Sequence, residues 1–328
     1  IGGWQPFANS IVDETGYGDC KALSFYTQSL LKEVGIPSNY TIVHAGSSPY
    51  EIDPEFVASR FNHVFLCVPN QGDTVWLECT SQTNPFGYLS NFTSDRDVLV
   101  ITDEGGEIVR TPKYDAEVNT QFTRATLNFD AQMNADIEMS IQYQGLQYDN
   151  RDLPNAINLS RDKQKEWVLE NLDLPGVQIH DYEFSIEKKP IPTSGVKIKL
   201  SSDKLTNSMG NRKFLLLNQF SRVTFIPEKN ENRQFDISVR YGFKDSDSVI
   251  FKIPTNYRPE YLPEPINIET EFGHYKMSVE PIENGLLYRR EVLWRDGLFE
   301  KKKYDEYRRF WSTIVKSDKM KIALIDRT

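Results

Sequence analysis

Gly16-Tyr17-Gly18-Asp19-Cys20-Lys21-Ala22-Leu23 puts a cysteine on the first turn of a predicted helix, directly after a glycine-containing loop. The helix is signalled from Cys20 to Val34. Asp19 can cap its start, Leu23, Leu30, Leu31 and Val34 supply an apolar stripe, and Gly35-Ile36-Pro37 stops it. Backbone N–H groups at a helix start lack intrahelical acceptors and favour an anion, which depresses a thiol pKa by roughly one to several units. The same donors can hold an oxyanion formed by attack on an acyl carbon. A cysteine buried only for packing gains little from this position, and that plainer role is the alternative for Cys20.

Downstream, strand-like runs follow at Tyr40 to His44, Asn62 to Val68, Thr74 to Thr80 and Val98 to Ile101. Pro69-Asn70-Gln71-Gly72-Asp73 is a hairpin turn between the second and third of them. Asp53 and Pro54 suit the cap and first turn of a short helix before that hairpin. His63 opens one hairpin strand and Glu78 lies in the other. A register whose residue numbers sum to 141 sets them directly across, and a sum of 143 makes them diagonal neighbours on one face. An even sum separates them onto opposite faces. In the odd registers Glu78 can fix the tautomer and orientation of His63 while the ring faces Cys20, a nucleophile–base–orienter arrangement. A strand-edge charge is the plain alternative for Glu78, and a structural or solvated ring for His63.

The remaining reactive side chains point elsewhere. Cys67 shares the face of His63 but has no helix-start environment, and Cys79 reads as a small buried hydrophobe. His44 ends a short strand and is a candidate lining of the cleft; His180 and His274 fall in later β regions. No close His/Cys/carboxylate grouping resembles a dedicated metal site, and no continuous acidic loop calls for calcium, so neither metal nor cofactor is expected.

The fold class expected is α+β. Residues 1–116 carry the clearest mixed pattern. From 117 to 253 alternation dominates, in Thr126 to Phe129, Asp136 to Tyr143, Val196 to Leu200, Val223 to Ile226 and Phe235 to Tyr241. One helix is predicted there, from Arg161 to Leu172. This reads as a mainly antiparallel β-sandwich with one helical insertion. Residues 254–328 begin with an extended, proline-rich stretch. Strands follow at His274 to Glu280 and Leu286 to Trp294, then a helix from Lys303 to Lys316 and a closing strand from Lys321 to Ile325. That region either completes the β domain before it or forms a small α/β element of its own.

Bulk composition narrows the classes of function. With 328 residues and 39% hydrophobic content, the chain can bury a sizeable core and has room for more than one domain. A net charge of -9, from 38 basic and 47 acidic side chains, argues against a nucleic-acid partner. No apolar run approaches bilayer-spanning length. Three cysteines, Cys20, Cys67 and Cys79, are too few for a disulfide scaffold.

Gly-Asp-Cys-Lys-Ala-Leu at 18–23, the Gly35-Ile36-Pro37 helix exit, the Asn62-His63 strand start and Trp76-Leu77-Glu78-Cys79-Thr80 together resemble the transglutaminase-like superfamily, with its papain-type cysteine enzyme core. The likeness is closest to a bacterial branch of Bacteroidetes-type multidomain proteins, and Gly87 with Arg96-Asp97-Val98-Leu99 is similar to the end of that branch's core. The resemblance implies a nucleophile at Cys20, an acid/base at His63, an orienting acid at Glu78 and a thioester intermediate. Glu78 stands where the more usual residue is Asp, and its extra methylene changes the reach. Only nineteen residues precede Cys20, fewer than such cores normally have. The chain therefore resembles the C-terminal part of a larger protein, and an upstream segment of that protein is an expected partner. Trp4 and Gln5 are candidates for the cleft or oxyanion site, with packing equally natural for Trp4, and Tyr17 is a candidate to flank the nucleophile.

The activity this implies is acyl transfer from a protein or peptide amide, preferably ending in hydrolysis, in a periplasmic or cell-surface setting. The competing reading is a catalytically inactive cell-envelope scaffold, or a carbohydrate- or protein-binding module, in which the β regions do the work.

Overall fold

In the computed structural model, which describes residue 3 and residues 5–47, 51–56 and 58–326, the chain divides into two units. Residues 1–114 and 187–192 make up the first, and residues 115–186 and 193–328 the second. The whole is α+β, with mostly antiparallel sheets and a C-terminal helix.

The first unit opens with α1 (Asn9–Thr15), closed by Gly16 in the left-handed conformation at φ 61°, where the glycine amide donates to the Val12 carbonyl. The next helix, α2 (Cys20–Glu33), begins where the Asp19 side chain accepts a hydrogen bond from the Ala22 amide at 3.0 Å. The face it buries is not the leucine stripe that the sequence suggests. Ala22 and Ser24 are completely buried, while Leu30 is 51% and Val34 70% exposed. Small residues let the helix lie close to the sheet, and Ser24 Oγ donates to the Val64 carbonyl at 3.3 Å.

That sheet has the order β3-β2-β1-β4-β5, all antiparallel, built from β1 (Asn39–Val43), β2 (His63–Asn70), β3 (Asp73–Leu77), β4 (Asp97–Thr102) and β5 (Gly105–Arg110). Val43, Phe65, Trp76, Leu89, Val98 and Val100 form its core. Two expectations need correction. Strand β3 stops at Leu77 and does not reach Thr80, because residues 79 and 80 turn. Asp53 and Pro54 open a turn and no helix: Asp53 Oδ1 accepts from the Glu55 amide and the Asp53 carbonyl from the Phe56 amide. Strand β5 has no alternating pattern to betray it; its Gly-Gly-Glu start is exposed and it forms by pairing with β4.

In the second unit the elements are β6 (Thr120–Phe129), β7 (Ala135–Gln144), α3 (Leu153–Ala156), α4 (Arg161–Asn171), β8 (Val177–Glu187), β9 (Thr193–Ser202), β10 (Thr206–Met209), β11 (Arg212–Leu216), β12 (Ile237–Val239), β13 (Phe243–Lys252), β14 (Tyr257–Pro259), β15 (Ile266–Thr270), β16 (Gly273–Ile282), β17 (Gly285–Trp294), β18 (Gly297–Phe299), α5 (Tyr304–Asp318) and β19 (Lys321–Asp326). An eight-stranded sheet runs β15-β16-β17-β13-β6-β7-β9-β8, beside a four-stranded sheet β10-β11-β19-β14 and a β12-β18 pair. Strand β13 lies parallel to β6 on one side and antiparallel to β17 on the other. Since β17 pairs with β13 along its whole length, the strands before and after residue 253 share one sheet.

Period-2 alternation selects the buried face of this sheet. Leu127 and Phe251 are fully buried and Met277 nearly so, each contributing about 1.5–3 kcal/mol. Leu215, Leu324, Phe310 and Ile314 join the same core, so the four-stranded sheet and α5 pack into it. Val223 to Ile226 is not a strand; the Val223 amide is taken by Asp318 Oδ2 at 2.8 Å in place of a ladder partner. Of Phe235 to Tyr241 only the three residues of β12 pair, and Phe235 is 82% exposed. Among the described residues, no helix is long and apolar enough to cross a membrane.

Candidate active site

The pairing of β2 with β3 places Cys67 across from Trp76, so paired residue numbers sum to 143. Extended past the end of β3, that register makes His63 and Glu78 diagonal neighbours on one face of the hairpin. The side chains meet there: His63 Nε2 lies 3.0 Å from both Glu78 Oε1 and Oε2, with the two side chains only 8% and 6% exposed. Glu78 is itself held by Thr80, whose hydroxyl donates to Oε1 at 2.6 Å and whose amide reaches the same atom at 3.3 Å.

With Nε2 engaged, Nδ1 is the ring nitrogen left for the cysteine. The Cys20 thiol and the His63 imidazole are near enough to shift each other's protonation. Two local devices bring them together: the Asp19 cap sets the first turn of α2, and the Ser24–Val64 bond ties that helix to β2 one residue beyond His63. The interaction with His63 is the main cause of a lowered Cys20 pKa. Burial opposes it, and the charges of His63 and Lys21 and a backbone hydrogen bond at Val64 add to it. Burial would push His63 down, but the interactions with Cys20 and Glu78 and their negative charge carry it up to about 9. Both shifts favour the thiolate–imidazolium pair over the neutral one.

The other cysteines differ in sign. Burial pushes up the thiols of Cys67 and Cys79, the latter lying against Ser24 and Thr27. The other histidines hold partners of their own. His44 Nδ1 meets the Arg60 carbonyl, His180 Nε2 meets Ser201 Oγ at 2.8 Å, and His274 Nε2 meets Glu291 Oε1 at 2.8 Å. Among the described residues, no group of three or more His, Cys, Asp and Glu could hold a metal ion.

Of the remaining candidates, Trp4 lies outside the described residues. Gln5 is exposed, and Tyr17 is 73% exposed with its backbone bonded to Thr15. Neither joins the group of Cys20, His63 and Glu78. Three neighbours of that set escape a reading of the sequence. Thr80 secures the carboxylate, and only its place two residues after Glu78 hints at this. Lys21 buries its ammonium against Asp19 at 2.7 Å beside the thiol. Burial would raise Asp19, but the hydrogen bonds from Lys21 and from the Ala22 amide hold it below the ordinary carboxylate range. Phe92, in the loop before β4, sets its ring edge-on to His63 at a centroid distance of 5.3 Å.

Comparison with known proteins adds little at the site itself. Residues 211–324 match the model of a family described as a domain of unknown function with a solved structure, DUF3858, which lies wholly within the second unit. No curated protein matches the chain. Among solved structures, a crystal structure of a "putative protease" from Parabacteroides distasonis ATCC 8503 aligns with 97% of this chain at 11% identity and a TM-score of 0.49. The aligned part is 46% of that protein, so the chain spans less than half its length.

Proposed function

We propose that the chain carries a cysteine-dependent acyl-transfer site acting on protein or peptide amides, with hydrolysis as its outcome. One observation carries this reading. Of three cysteines, Cys20 alone has a lowered thiol pKa, and the group chiefly lowering it is an imidazole whose Nε2 is held by a buried carboxylate.

His63 takes the Cys20 proton, and the sulfur attacks the amide carbonyl carbon. The Ala22 amide is taken by the Asp19 side chain, so the Cys20 amide at the head of α2 is the backbone donor this reading assigns to the oxyanion. The C–N bond then breaks, and His63 returns its proton to the departing amine, leaving a thioester on Cys20. Water, deprotonated by His63, attacks the thioester; the acid leaves and the thiol is restored. Glu78 holds the ring through Nε2 and stabilises its charged form in both halves. This reading carries with it an extracytoplasmic setting and an origin in a larger protein of the transglutaminase-like kind.

Alkylation by iodoacetamide near neutral pH tests it. Cys20 is expected to react fastest of the three cysteines, and His63→Ala to slow that reaction by about 10-fold or more while leaving Cys67 and Cys79 unchanged. Labelling of Cys20 no faster than the others, or insensitive to His63, would sink the reading.

A non-catalytic alternative draws on a different observation. The outer face of the eight-stranded sheet holds surface cavities of about 470 and 660 Å³, lined by charged and hydroxyl side chains that include Arg124, Glu138, Lys197, Lys276 and Ser278. In that reading the second unit binds a carbohydrate or a protein and Cys20 serves only in packing. The same alkylation experiment separates the two.

A further inference from the structure

Phe92 is an apolar ring that folding leaves half in water: it is 45% exposed, yet its ring leans on His63 at 5.3 Å between centroids and 66° between planes. A flexible surface phenylalanine would need no explanation, but the backbone around this one is fixed from several directions. The Phe92 carbonyl accepts the Gly46 amide at 2.9 Å, and the Thr93 and Ser94 amides both return to the Ser90 carbonyl. Arg96 is fully buried and spends its guanidinium on backbone oxygens. Nη2 donates to the Asn91 carbonyl at 2.9 Å, Nη1 to those of His44 at 2.7 Å and Gly46 at 3.1 Å, and Nε to that of Ser94 at 3.1 Å. The two loops meeting beside His63 are thus stapled together from beneath, and the residue they lift toward solvent is an aromatic one.

We propose that Phe92 is a substrate-contacting, specificity-determining residue: it forms an apolar wall beside His63 and selects a substrate with an apolar side chain next to the amide that is cut. A phenylalanine ring has no polar handle, so the side chain it favours is hydrocarbon rather than charged. A wall on prefixed backbone loses little conformational freedom when substrate covers it, which is where rigid aromatic contacts gain their selectivity.

The inference rests on the acyl-transfer reading, so its test uses two classes of probe on the full chain. Iodoacetamide is too small to need the wall and reports only the Cys20–His63 chemistry. Peptidyl vinyl sulfones that differ in one residue beside the electrophile, leucine against glycine and against lysine, report the wall. In the wild type the leucine probe is expected to label Cys20 faster than the glycine and lysine probes. Phe92→Ala should cut the leucine rate on the order of 10-fold and largely erase that preference, with iodoacetamide unchanged, and Phe92→Leu should restore much of it. Equal losses for every probe, iodoacetamide included, would make Phe92 merely a buttress for the imidazole and overturn the proposal. An unchanged leucine preference in Phe92→Ala would overturn it too. If wild-type labelling by iodoacetamide does not depend on His63, the acyl-transfer reading itself has failed and the wall falls with it.

Discussion

Glu78 is held from two directions, by the His63 ring on one side and by Thr80 on the other. Its charge is one cause of the raised His63 pKa, which burial alone would have lowered. The sign of the consequence follows. A group raised on folding contributes stability that is complete below its ordinary range, near 6.5 for histidine, and that is lost as pH rises through the folded value of about 9. Glu78→Gln removes the carboxylate charge but keeps the shape. The His63 ring should then titrate below 9 by NMR, and turnover of an amide substrate should fall on the order of 100-fold. Turnover equal to the wild type would remove Glu78 from the site. Cys20 and His63 were legible because each residue type sits on the element that its chemistry needs. Phe92 and Arg96 were not, since an aromatic and a basic residue in a loop have no local signature of what they touch.

At the scale of elements, the start of α2 and the tight crossings of the large sheet invite the sharpest tests. Asp19 accepts from the Ala22 amide and from Lys21, so it caps the helix and orders the turn that presents Cys20. Asp19→Ala should cost about 1 kcal/mol in chemical denaturation. It should also slow the alkylation of Cys20, where a purely structural cap would change only the denaturation midpoint. Gly273 opens β16 at φ +146°, and a Cβ built there would stand 1.8 Å from the Leu293 carbonyl oxygen. Backbone cannot retreat from that overlap without breaking the pairing of Gly273 with Trp294. Gly273→Ala should therefore destabilise the second unit by about 3 kcal/mol or more, read from its unfolding midpoint. A midpoint within error of the wild type would show that the β16–β17 entry can relax. Element types were readable wherever period or caps were strong, as in α2, α5, β7 and β16. Strands such as β5 and β11 were not, because exposed or mixed sequence becomes a strand only when a neighbour supplies its hydrogen bonds.

Across the whole molecule, a buried ionic cluster ties distant parts of the second unit together. Arg290 is fully buried; its Nε and Nη2 bind Asp318 at 2.8 and 3.0 Å, and its Nη1 reaches Asp247 at 3.2 Å. Asp318, at the end of α5, also takes the Tyr275 hydroxyl at 3.0 Å and the Val223 amide at 2.8 Å, and Asp247 is joined by Ser221. Strands β13, β16 and β17, the last turn of α5 and the 218–223 loop are thereby set in one register. Arg290→Met strands two carboxylates in the core and should cost about 3–5 kcal/mol in urea unfolding. Adding Asp247→Asn and Asp318→Asn should recover part of that loss, because the penalty lies in the uncompensated charge. Failure of the triple variant to recover any would assign the cost to packing.

By itself the sequence determined what is set locally: a capped helix with a cysteine at its head, a hairpin able to bring a histidine and a glutamate to one face, and a β-rich remainder of alternating strands. Caps, turns and periodicity act within a few residues of one another, so they can be read without coordinates. The tertiary structure alone decided which register the hairpin adopts and that small residues, rather than leucines, seat α2. It also decided that β13 runs parallel to β6 and that loops far apart in sequence set Phe92 against His63. Those outcomes depend on contacts between residues distant along the chain, whose energies are settled only when the packed partners are present together.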